Sequence, residues 1–376
     1  MKKLTLLLLA LVMVCGGAMA QKNVKWVDAQ SLTHLGKLCK TTNPYHRVEV
    51  ANYPELNKTE SRLLRKSAGE FVVFETNSTT VWVKATFGFA RETGGMTRNA
   101  SCGFNLYIEK DGQWTWASSK SQSIYSFAND VITDKDKNGV RLIDRPLQMI
   151  ANMDKSNKKC ILYLPLYSEL VHLEVGVEEG ADIKPMDNPF RHKIAIFGSS
   201  FTHGSCASAA GQTYPAFLSR QTGLYFCGLG MSGNSKLQPV IGRILGGTDA
   251  DAIVVDAFSN PTIQIIDERI DLFIKAIRDQ RPEIPIIFLR TIYRESRNFD
   301  TKSELKEQGR IDHVEKVMAR VTSEYKDVYF INVKDQTGTD HETSADGIHP
   351  TSWGYKRWAD AIQKPLQKIL KKHGIK

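Results

Sequence analysis

The sequence lacks the cysteine patterns that hold metal ions or build disulfide frameworks. Its 376 residues include six cysteines, none of them in a CxxC pair, so we expect no dedicated zinc site. Cys15 lies within the first twenty residues, directly after an apolar run. An odd number of cysteines remains outside that segment: Cys39, Cys102, Cys160, Cys206 and Cys227. Cys206 and Cys227 belong to one predicted strand–helix region, but their spacing does not establish a disulfide.

A concentrated basic stripe and a membrane-spanning segment are also missing. The formal net charge of +9 is a mild excess spread along the chain, and we therefore expect no nucleic-acid partner. Attraction to an acidic polysaccharide stays open as a weaker alternative. Beyond residue 20, no apolar run has the length that a bilayer requires.

The first twenty residues have the composition of a cleaved secretory signal. Lysines at positions 2 and 3 precede an apolar run over residues 4–14, and the segment ends in Ala18-Met-Ala20, a small-residue pattern typical of signal cleavage. We expect residues 1–20 to be removed and the mature chain to be exported, either to the periplasm or out of the cell.

Residues 21–185 alternate apolar and polar side chains over short runs, which is the period of half-buried antiparallel strands. Such runs occur at 71–74, 80–86, 105–108 and 171–177, and Asp111-Gly112 predicts a hairpin. The pattern favours a jelly-roll-like β-sandwich. Its aromatic residues could line a sugar-binding face, although core packing is the stronger interpretation.

Residues 186–376 follow a different pattern. After a Pro- and Gly-containing linker at 178–190, short apolar runs at 193–197, 224–228, 252–257, 284–289 and 328–333 alternate with helical periodicity. The clearest helix is Ile263–Arg278, whose apolar residues recur three and four positions apart. Repeated strand–helix units predict an α/β domain with a three-layer parallel sheet, and the domain boundary is expected near residue 185.

Four polar segments follow predicted strands of this second domain. They are residues 198–204, 230–234, 256–261 and 346–350. Because the carboxyl ends of parallel strands meet at one edge of a sheet, we expect the four segments to converge there. A serine on the tight turn after the first strand is suited to act as a nucleophile, with backbone N–H groups nearby.

Asp346 and His349 supply the matching base. An aspartate three residues before a histidine, on a turn held by Gly347 and Pro350, can fix the imidazole through its Nδ1–H group. A loop in which Asp346 only caps the last helix is the alternative. His203 is a weaker candidate for the base, because it lies in the same turn as the serine.

These segments resemble the SGNH (GDSL-type) hydrolases over roughly residues 190–370. Ser200 matches the nucleophile of the first block, Gly233 the glycine of the second, Asn260 the asparagine of the third, and Asp346 with His349 the last pair. The N-terminal part resembles the sandwich domain named for a Gly-x-Asp-Leu-Tyr signature, here Gly103-Phe-Asn-Leu-Tyr107.

The resemblance implies a Ser200–His349–Asp346 triad and an oxyanion hole built from Ser200, Gly233 and Asn260, with no metal or organic cofactor. Three positions depart from the family patterns: Asn105 replaces the aspartate of the N-terminal signature, Ser199 replaces the acid beside the nucleophile, and Phe258 replaces the glycine of the third block. Phe258 is expected to narrow the acyl pocket. We also expect His203 and Trp353 to line the substrate cleft.

The sequence predicts an exported serine esterase that removes acetyl or other short acyl groups. Carbohydrate is the leading hypothesis for the molecule that carries these groups. The substrate is an acylated small molecule or glycan. Two alternatives stay open: a lipase or thioesterase acting on longer acyl chains, and a catalytically weak glycan-binding protein. Oligomeric state is not predicted.

Overall fold

A computed structural model describes residues 23–90, 94–121, 131–134, 139–142 and 146–376. The predicted secretory signal at residues 1–20 lies outside these ranges. The elements of the N-terminal part are β1 (Val24–Asp28), β2 (Thr33–Leu35), α1 (Lys58–Leu64), β3 (Phe71–Thr76), β4 (Val81–Phe89), α2 (Arg98–Ser101), β5 (Phe104–Lys110), β6 (Gln113–Lys120), β7 (Val131–Asp134), β8 (Gly139–Leu142), β9 (Leu147–Ile150), β10 (Lys158–Tyr163), β11 (Glu169–Glu178) and β12 (Ile183–Pro185).

Ten of these strands form two antiparallel sheets that face each other, and β7 pairs with β8 in a separate antiparallel hairpin. One has the order β1-β11-β4-β9 and the other the order β12-β3-β10-β5-β6, with β2 beside β3. Strand β4 buries every second side chain, as a half-buried strand must, starting with Val81 and Val83. These side chains join Val72 and Phe74 of the opposite sheet in one apolar cluster. The predicted sandwich is confirmed.

The second of these sheets is buried on its other face too. Phe71 of β3 points away from the sandwich core and lies edge-on to Tyr225 and Phe190, with ring centroids 6.2 and 5.9 Å apart. Val73 and Ile161 on the same face belong to the apolar core of the C-terminal part. The two parts of the chain therefore share one continuous hydrophobic core.

The C-terminal part alternates strands and helices as predicted. Its elements are β13 (Arg191–Gly198), α3 (Ser200–His203), α4 (Tyr214–Thr222), β14 (Leu224–Gly230), α5 (Pro239–Gly246), β15 (Ala252–Asp256), α6 (Ile263–Arg278), β16 (Ile286–Leu289), α7 (Thr301–Glu324), β17 (Val328–Ile331) and α8 (Ser352–Lys372). The five strands are all parallel, in the order β14-β13-β15-β16-β17.

Helices cover this sheet in two groups, α4 with α8 and α5 with α6 and α7. Because the sheet is covered, its central strands are continuous apolar runs rather than alternating ones; β15, for example, is buried over its whole length. No helix in the described ranges is long and apolar enough to cross a membrane.

The strand order places the candidate site. The chain runs from β13 to the edge strand β14 and then returns to β15 on the other side of β13. Such a reversal opens a crevice at the carboxyl ends of the two central strands, where ligands bind in open α/β sheets. The serine turn at residues 198–200 follows β13 at that point.

Candidate active site

The turn after β13 holds Ser200 at the start of a short helix. Ser199 is the N-cap of α3, and its hydroxyl accepts a hydrogen bond from the Phe201 N–H at 3.2 Å. Gly198 permits this turn because a Cβ there would lie 1.9 Å from Thr202 Oγ1. Ser200 is the first residue of α3, so its own N–H has no acceptor within the helix.

Ser200, His349 and Asp346 form one chain of hydrogen bonds. His349 Nε2 lies 2.8 Å from Ser200 Oγ, and His349 Nδ1 lies 2.7 Å from Asp346 Oδ2. The Asp346 carboxylate accepts a hydrogen bond from the Nδ1–H group of the ring. In the neutral ring Nε2 then carries no proton and faces the serine hydroxyl. This geometry is that of a nucleophile, its base and the acid that orients the base.

The Asp346 carboxylate is held in its ionised form. Partial burial raises its pKa. Hydrogen bonds from the His349 ring and from the backbone N–H groups of His349 and Ile348 together lower the pKa by more, so that it lies below the usual value. The N-cap of α8 is Thr351, whose hydroxyl accepts from the Gly354 N–H at 3.4 Å. Asp346 therefore orients the histidine, and the helix-capping alternative does not apply.

The second and third polar segments lie against the serine turn. The Met231 N–H donates to the Gly198 carbonyl at 2.7 Å, and Gly233 has a positive φ of 71°. Asn260 Oδ1 accepts from the Ser235 N–H at 3.3 Å. Across the described ranges, Asn260 Nδ2 makes no hydrogen bond, so its donor end is free for a ligand.

Two family models cover the chain. The GDSL-like lipase/acylhydrolase family matches residues 191–367, and the N-terminal domain of SGNH-hydrolase-type esterases matches residues 24–183. A crystal structure of a GDSL-like lipase from Bacteroides ovatus superimposes with a TM-score of 0.85 and 34% identity, over 93% of this chain and 98% of that one. The chain belongs to the GDSL-like lipase/acylhydrolase family. This GDSL-like hydrolase is thus an esterase by family, as the resemblance predicted.

Two more distant structures share its fold. A salicylyl-acyltransferase from a tetracycline biosynthetic pathway has a TM-score of 0.64 at 16% identity, covering 92% of this chain and 97% of its own. A family two carbohydrate esterase from Clostridium thermocellum, in complex with cellohexaose, has a TM-score of 0.56 at 14% identity, covering 82% and 94%. No curated protein matches the sequence.

Phe258 does not line the acyl pocket of this hydrolase, contrary to the expectation from sequence. Its side chain is 1% exposed, and its ring stacks on Phe288 at 5.6 Å and lies edge-on to Phe330 at 6.4 Å. The ring turns into the core between the sheet and its helices because two aromatic partners bury it there. The missing glycine of the third block therefore leaves the pocket unobstructed by this side chain.

His203 is also placed differently from the expectation. It is fully buried, and its Nε2 donates to the Leu166 carbonyl at 2.8 Å. Burial, followed by the positive charges of Arg47 and Lys66, lowers its pKa well below the usual value. A buried neutral ring that points at the sandwich is neither a substrate contact nor the base for Ser200.

Trp353 is the remaining residue predicted to bind substrate. It is 56% exposed, four positions after His349, and the Arg357 guanidinium lies over its ring at 4.7 Å. Ile348, directly before His349, is also exposed. Large apolar side chains are therefore exposed on both sides of His349 in the chain, and Trp353 stays a candidate for substrate contact.

Residues of the sandwich part support the catalytic loops, and no sequence motif indicated this contribution. The Tyr167 hydroxyl is hydrogen-bonded to Ser205 Oγ and donates to Ser232 Oγ at 2.9 Å. Its ring packs against the His203 ring in a tilted arrangement, with centroids 4.2 Å apart. The Tyr167 hydroxyl therefore links the loop that follows Ser200 to the loop that carries Gly233 by hydrogen bonds.

Arg47 is the second brace. Its guanidinium is fully buried and donates to the Gly230 carbonyl at 3.0 Å and to the Lys66 carbonyl at 2.8 Å. Burial lowers its pKa to about 10, so the group stays charged at neutral pH and its hydrogen bonds are charge-assisted. Arg47 joins the sandwich to the end of β14, directly before the second polar segment.

A buried carboxyl lies beneath the serine turn at the end of β15. Asp256 is fully buried, and its Oδ2 accepts from the Thr202 hydroxyl at 2.9 Å. Burial raises its pKa to about 7, against the opposing effect of the Thr202 hydroxyl and the polar groups of Ser199. An acidic group thus supports the turn from below, although position 199 itself carries a serine.

All five cysteines in the described ranges are free thiols. Cys206 and Cys227 do not form a disulfide, which leaves Cys206 available at the edge of the site. Its Sγ lies 3.6 Å from Asp346 Oδ2. Burial, and then the Asp346 charge, raises its pKa to about 12, so the thiol keeps its proton at neutral pH.

Proposed function

We propose that the protein is an exported serine esterase that removes acetyl or other short acyl groups from carbohydrate through an acyl-enzyme intermediate. The observation that carries the proposal is the chain of hydrogen bonds from Ser200 through His349 to Asp346, with distances of 2.8 and 2.7 Å. Its position at the crevice of the parallel sheet agrees with a ligand site.

In the first step, Ser200 Oγ attacks the ester carbonyl while His349 Nε2 takes the hydroxyl proton. Asp346 keeps its charge and stabilises the imidazolium that forms, because its own pKa is held low. The imidazolium then gives the proton to the departing alcohol. The products of this step are the free hydroxyl of the substrate and an ester of Ser200.

The carbonyl oxygen becomes negatively charged in the transition state and needs donors. We assign the Ser200 N–H, the Gly233 N–H and the Asn260 Nδ2–H groups to this role. The hydrogen bond from Ser235 to Asn260 Oδ1 supports the assignment, because it directs the donor end of the amide away from that contact. Water, activated by His349, then hydrolyses the acyl-enzyme.

Carbohydrate as the alcohol part of the ester is supported by the fold shared with a cellohexaose-binding esterase and by the exposed Trp353, four residues after His349 in the chain. An indole face on the protein surface can stack on the apolar face of a sugar ring. Export is supported by the signal pattern of residues 1–20 and is tested by fractionating cells and sequencing the N-terminus of the mature protein.

The deciding experiment measures acetate release from a panel of acetylated oligosaccharides, with Ser200→Ala as the control. We expect release by the native enzyme and a loss of about 10⁶-fold in the variant. Activity on chromogenic esters that rises steadily from acetate to decanoate would instead identify a lipase. Equal release by both proteins would remove Ser200 from the mechanism, and binding of glycans without release would identify a binding protein.

A further inference from the structure

Three different metal-ligating side chains meet at the edge of the triad. Cys206, Asp346 and His349 can each offer one donor atom, and the three atoms lie within 4.8 Å of one another. The thiol, carboxylate and imidazole are the donor types that Zn²⁺ binds in proteins. Cys206 has no covalent partner.

We propose that Cys206, Asp346 and His349 form an inhibitory site for Zn²⁺, which switches the esterase off reversibly. The inference rests on the proposed function, because inhibition requires that His349 be the catalytic base. Zinc here is an inhibitor that competes with the triad's hydrogen bonds, so catalysis itself needs no metal.

The distances fit a tetrahedral ion with one adjustment. With Zn–S near 2.3 Å and Zn–O near 2.0 Å, two such donors lie roughly 3.5 Å apart, and Cys206 Sγ is 3.6 Å from Asp346 Oδ2. Nitrogen and oxygen donors on one zinc ion lie about 3.3 Å apart, whereas His349 Nδ1 is 2.7 Å from Asp346 Oδ2. Metal binding must therefore push the ring and the carboxylate apart.

Gly95, between β4 and α2, lies over these donors and has no side chain of its own. Its φ is +79°, and a Cβ there would lie 3.4 Å from Cys206 Sγ and 3.8 Å from Asp346 Oδ2. The carboxylate and the imidazole are 34% and 20% exposed. Cys206 is 7% exposed, so an ion reaches the site from the side of the carboxylate and the imidazole, where water can complete its coordination.

Zinc binding releases one proton from Cys206 and moves another from Nδ1 to Nε2 of His349, and the second change removes the base. The Cys206 thiol releases its proton to solvent as the Zn–S bond forms. Coordination of Nδ1 displaces the proton that this atom shares with Asp346, so the neutral ring carries its proton on Nε2. An Nε2–H group cannot accept the Ser200 proton, and the enzyme is inactive until the metal leaves.

The test is a titration of ester hydrolysis with zinc sulfate, reversed by a chelator. We expect the half-inhibitory zinc concentration to rise by at least about tenfold in Cys206→Ser, since the variant loses one ligand. Cys39→Ser, which removes another partly accessible thiol far from the triad in sequence, is the matched control and should behave as the native enzyme. Equal inhibition of Cys206→Ser and native enzyme would overturn the proposal.

A second measurement does not depend on activity. Cobalt chloride should give a near-ultraviolet thiolate-to-cobalt absorption band with the native protein and with Ser200→Ala, and no band with Cys206→Ser. A native protein that hydrolyses esters but shows no band overturns the metal site and leaves the proposed function intact. A band in a protein without esterase activity supports the metal site and contradicts the proposed function instead.

Discussion

The α/β part and the sandwich contribute to the site in different ways. Every group assigned to the chemistry lies in the α/β part, at the carboxyl ends of its parallel strands. The sandwich supplies Arg47 and Tyr167, which lie behind the catalytic loops and are hydrogen-bonded to them. The sandwich part therefore supports the site by direct hydrogen bonds to its loops.

The two parts also differ in how exposed their contributions are. In the α/β part Asp346 and His349 are partly exposed, although Ser200 is 7% exposed, whereas in the sandwich part Arg47 is 1% and Tyr167 6% exposed. Buried hydrogen bonds in a low-dielectric environment fix geometry more firmly than surface ones. We therefore expect substitutions in the α/β part to remove groups that react. Substitutions in the sandwich part should weaken the hydrogen bonds that hold the catalytic loops in place.

The largest effect is expected for Asp346→Asn. The amide cannot stabilise the imidazolium and favours the wrong tautomer of His349, so kcat should fall by about 10⁴-fold. Asp340→Asn, which removes a surface partner of Arg357, is the control and should leave kcat unchanged. A loss of less than tenfold in steady-state hydrolysis would remove Asp346 from the triad.

Asn260→Ala should have the next largest effect. Loss of one oxyanion donor lowers kcat by about 10²–10³-fold with little change in KM, because the interaction forms in the transition state. Asn157→Ala on the sandwich surface is the matched control. A variant whose KM rises while kcat stays constant would show that Asn260 binds substrate and does not stabilise the oxyanion.

Tyr167→Phe tests the contribution of the sandwich directly. The change removes the hydroxyl that joins Ser205 to Ser232, and we expect kcat to fall by roughly two- to tenfold, as for one net hydrogen bond. Tyr163→Phe is the control, since that hydroxyl accepts from Arg220 at 2.9 Å in the same interface but away from Ser200. Equal losses in both variants would mean that only the general stability of the interface matters.

The smallest expected effect on activity, with a distinct effect on stability, belongs to Asp256→Asn. The carboxyl has a pKa of about 7 in the folded protein and about 3.9 when unfolded, so the native state binds the extra proton between these values. The contribution of Asp256 to the free energy of unfolding should therefore fall as pH rises from 4 to 7 and level off above 7.

Relative to the native protein, the asparagine variant should gain stability over that window by at most about 4 kcal/mol. Urea denaturation at pH 4, 6 and 8 measures this difference. A difference that stays constant with pH would show that Asp256 is ionised throughout. It would also mean that the serine turn rests on a buried charge.

The sequence predicted the strands and helices of the α/β part closely. Helix α6 spans Ile263–Arg278 as predicted, because its apolar residues recur with helical period and Pro282 follows its end. Residue pattern and family resemblance together singled out Ser200, His349 and Asp346, and the structure brings the three side chains into contact at the carboxyl edge of the parallel sheet. The predicted boundary near residue 185 and the export of the mature chain stay predictions.

Side-chain direction was beyond the reach of the sequence. Phe258 and His203 stand in the catalytic segments, and position alone suggested that they face substrate; packing against Phe288 and Tyr167 turns them inward. Arg47, Tyr167 and Cys206 carry no motif, and their roles arise from contacts between residues far apart in the chain.

The sequence by itself determined the fold class and the order of the four polar segments, because periodicity and turn chemistry are local properties. Only the tertiary structure decided which side chains surround those segments. One sheet of the sandwich is buried on both faces, and residues of the N-terminal part place a guanidinium at the end of β14 and a phenol between Ser205 and Ser232. The Cys206 thiol reaches Asp346 through contacts within the α/β part. All of these neighbours are set by packing between residues far apart in the chain, which no local pattern records.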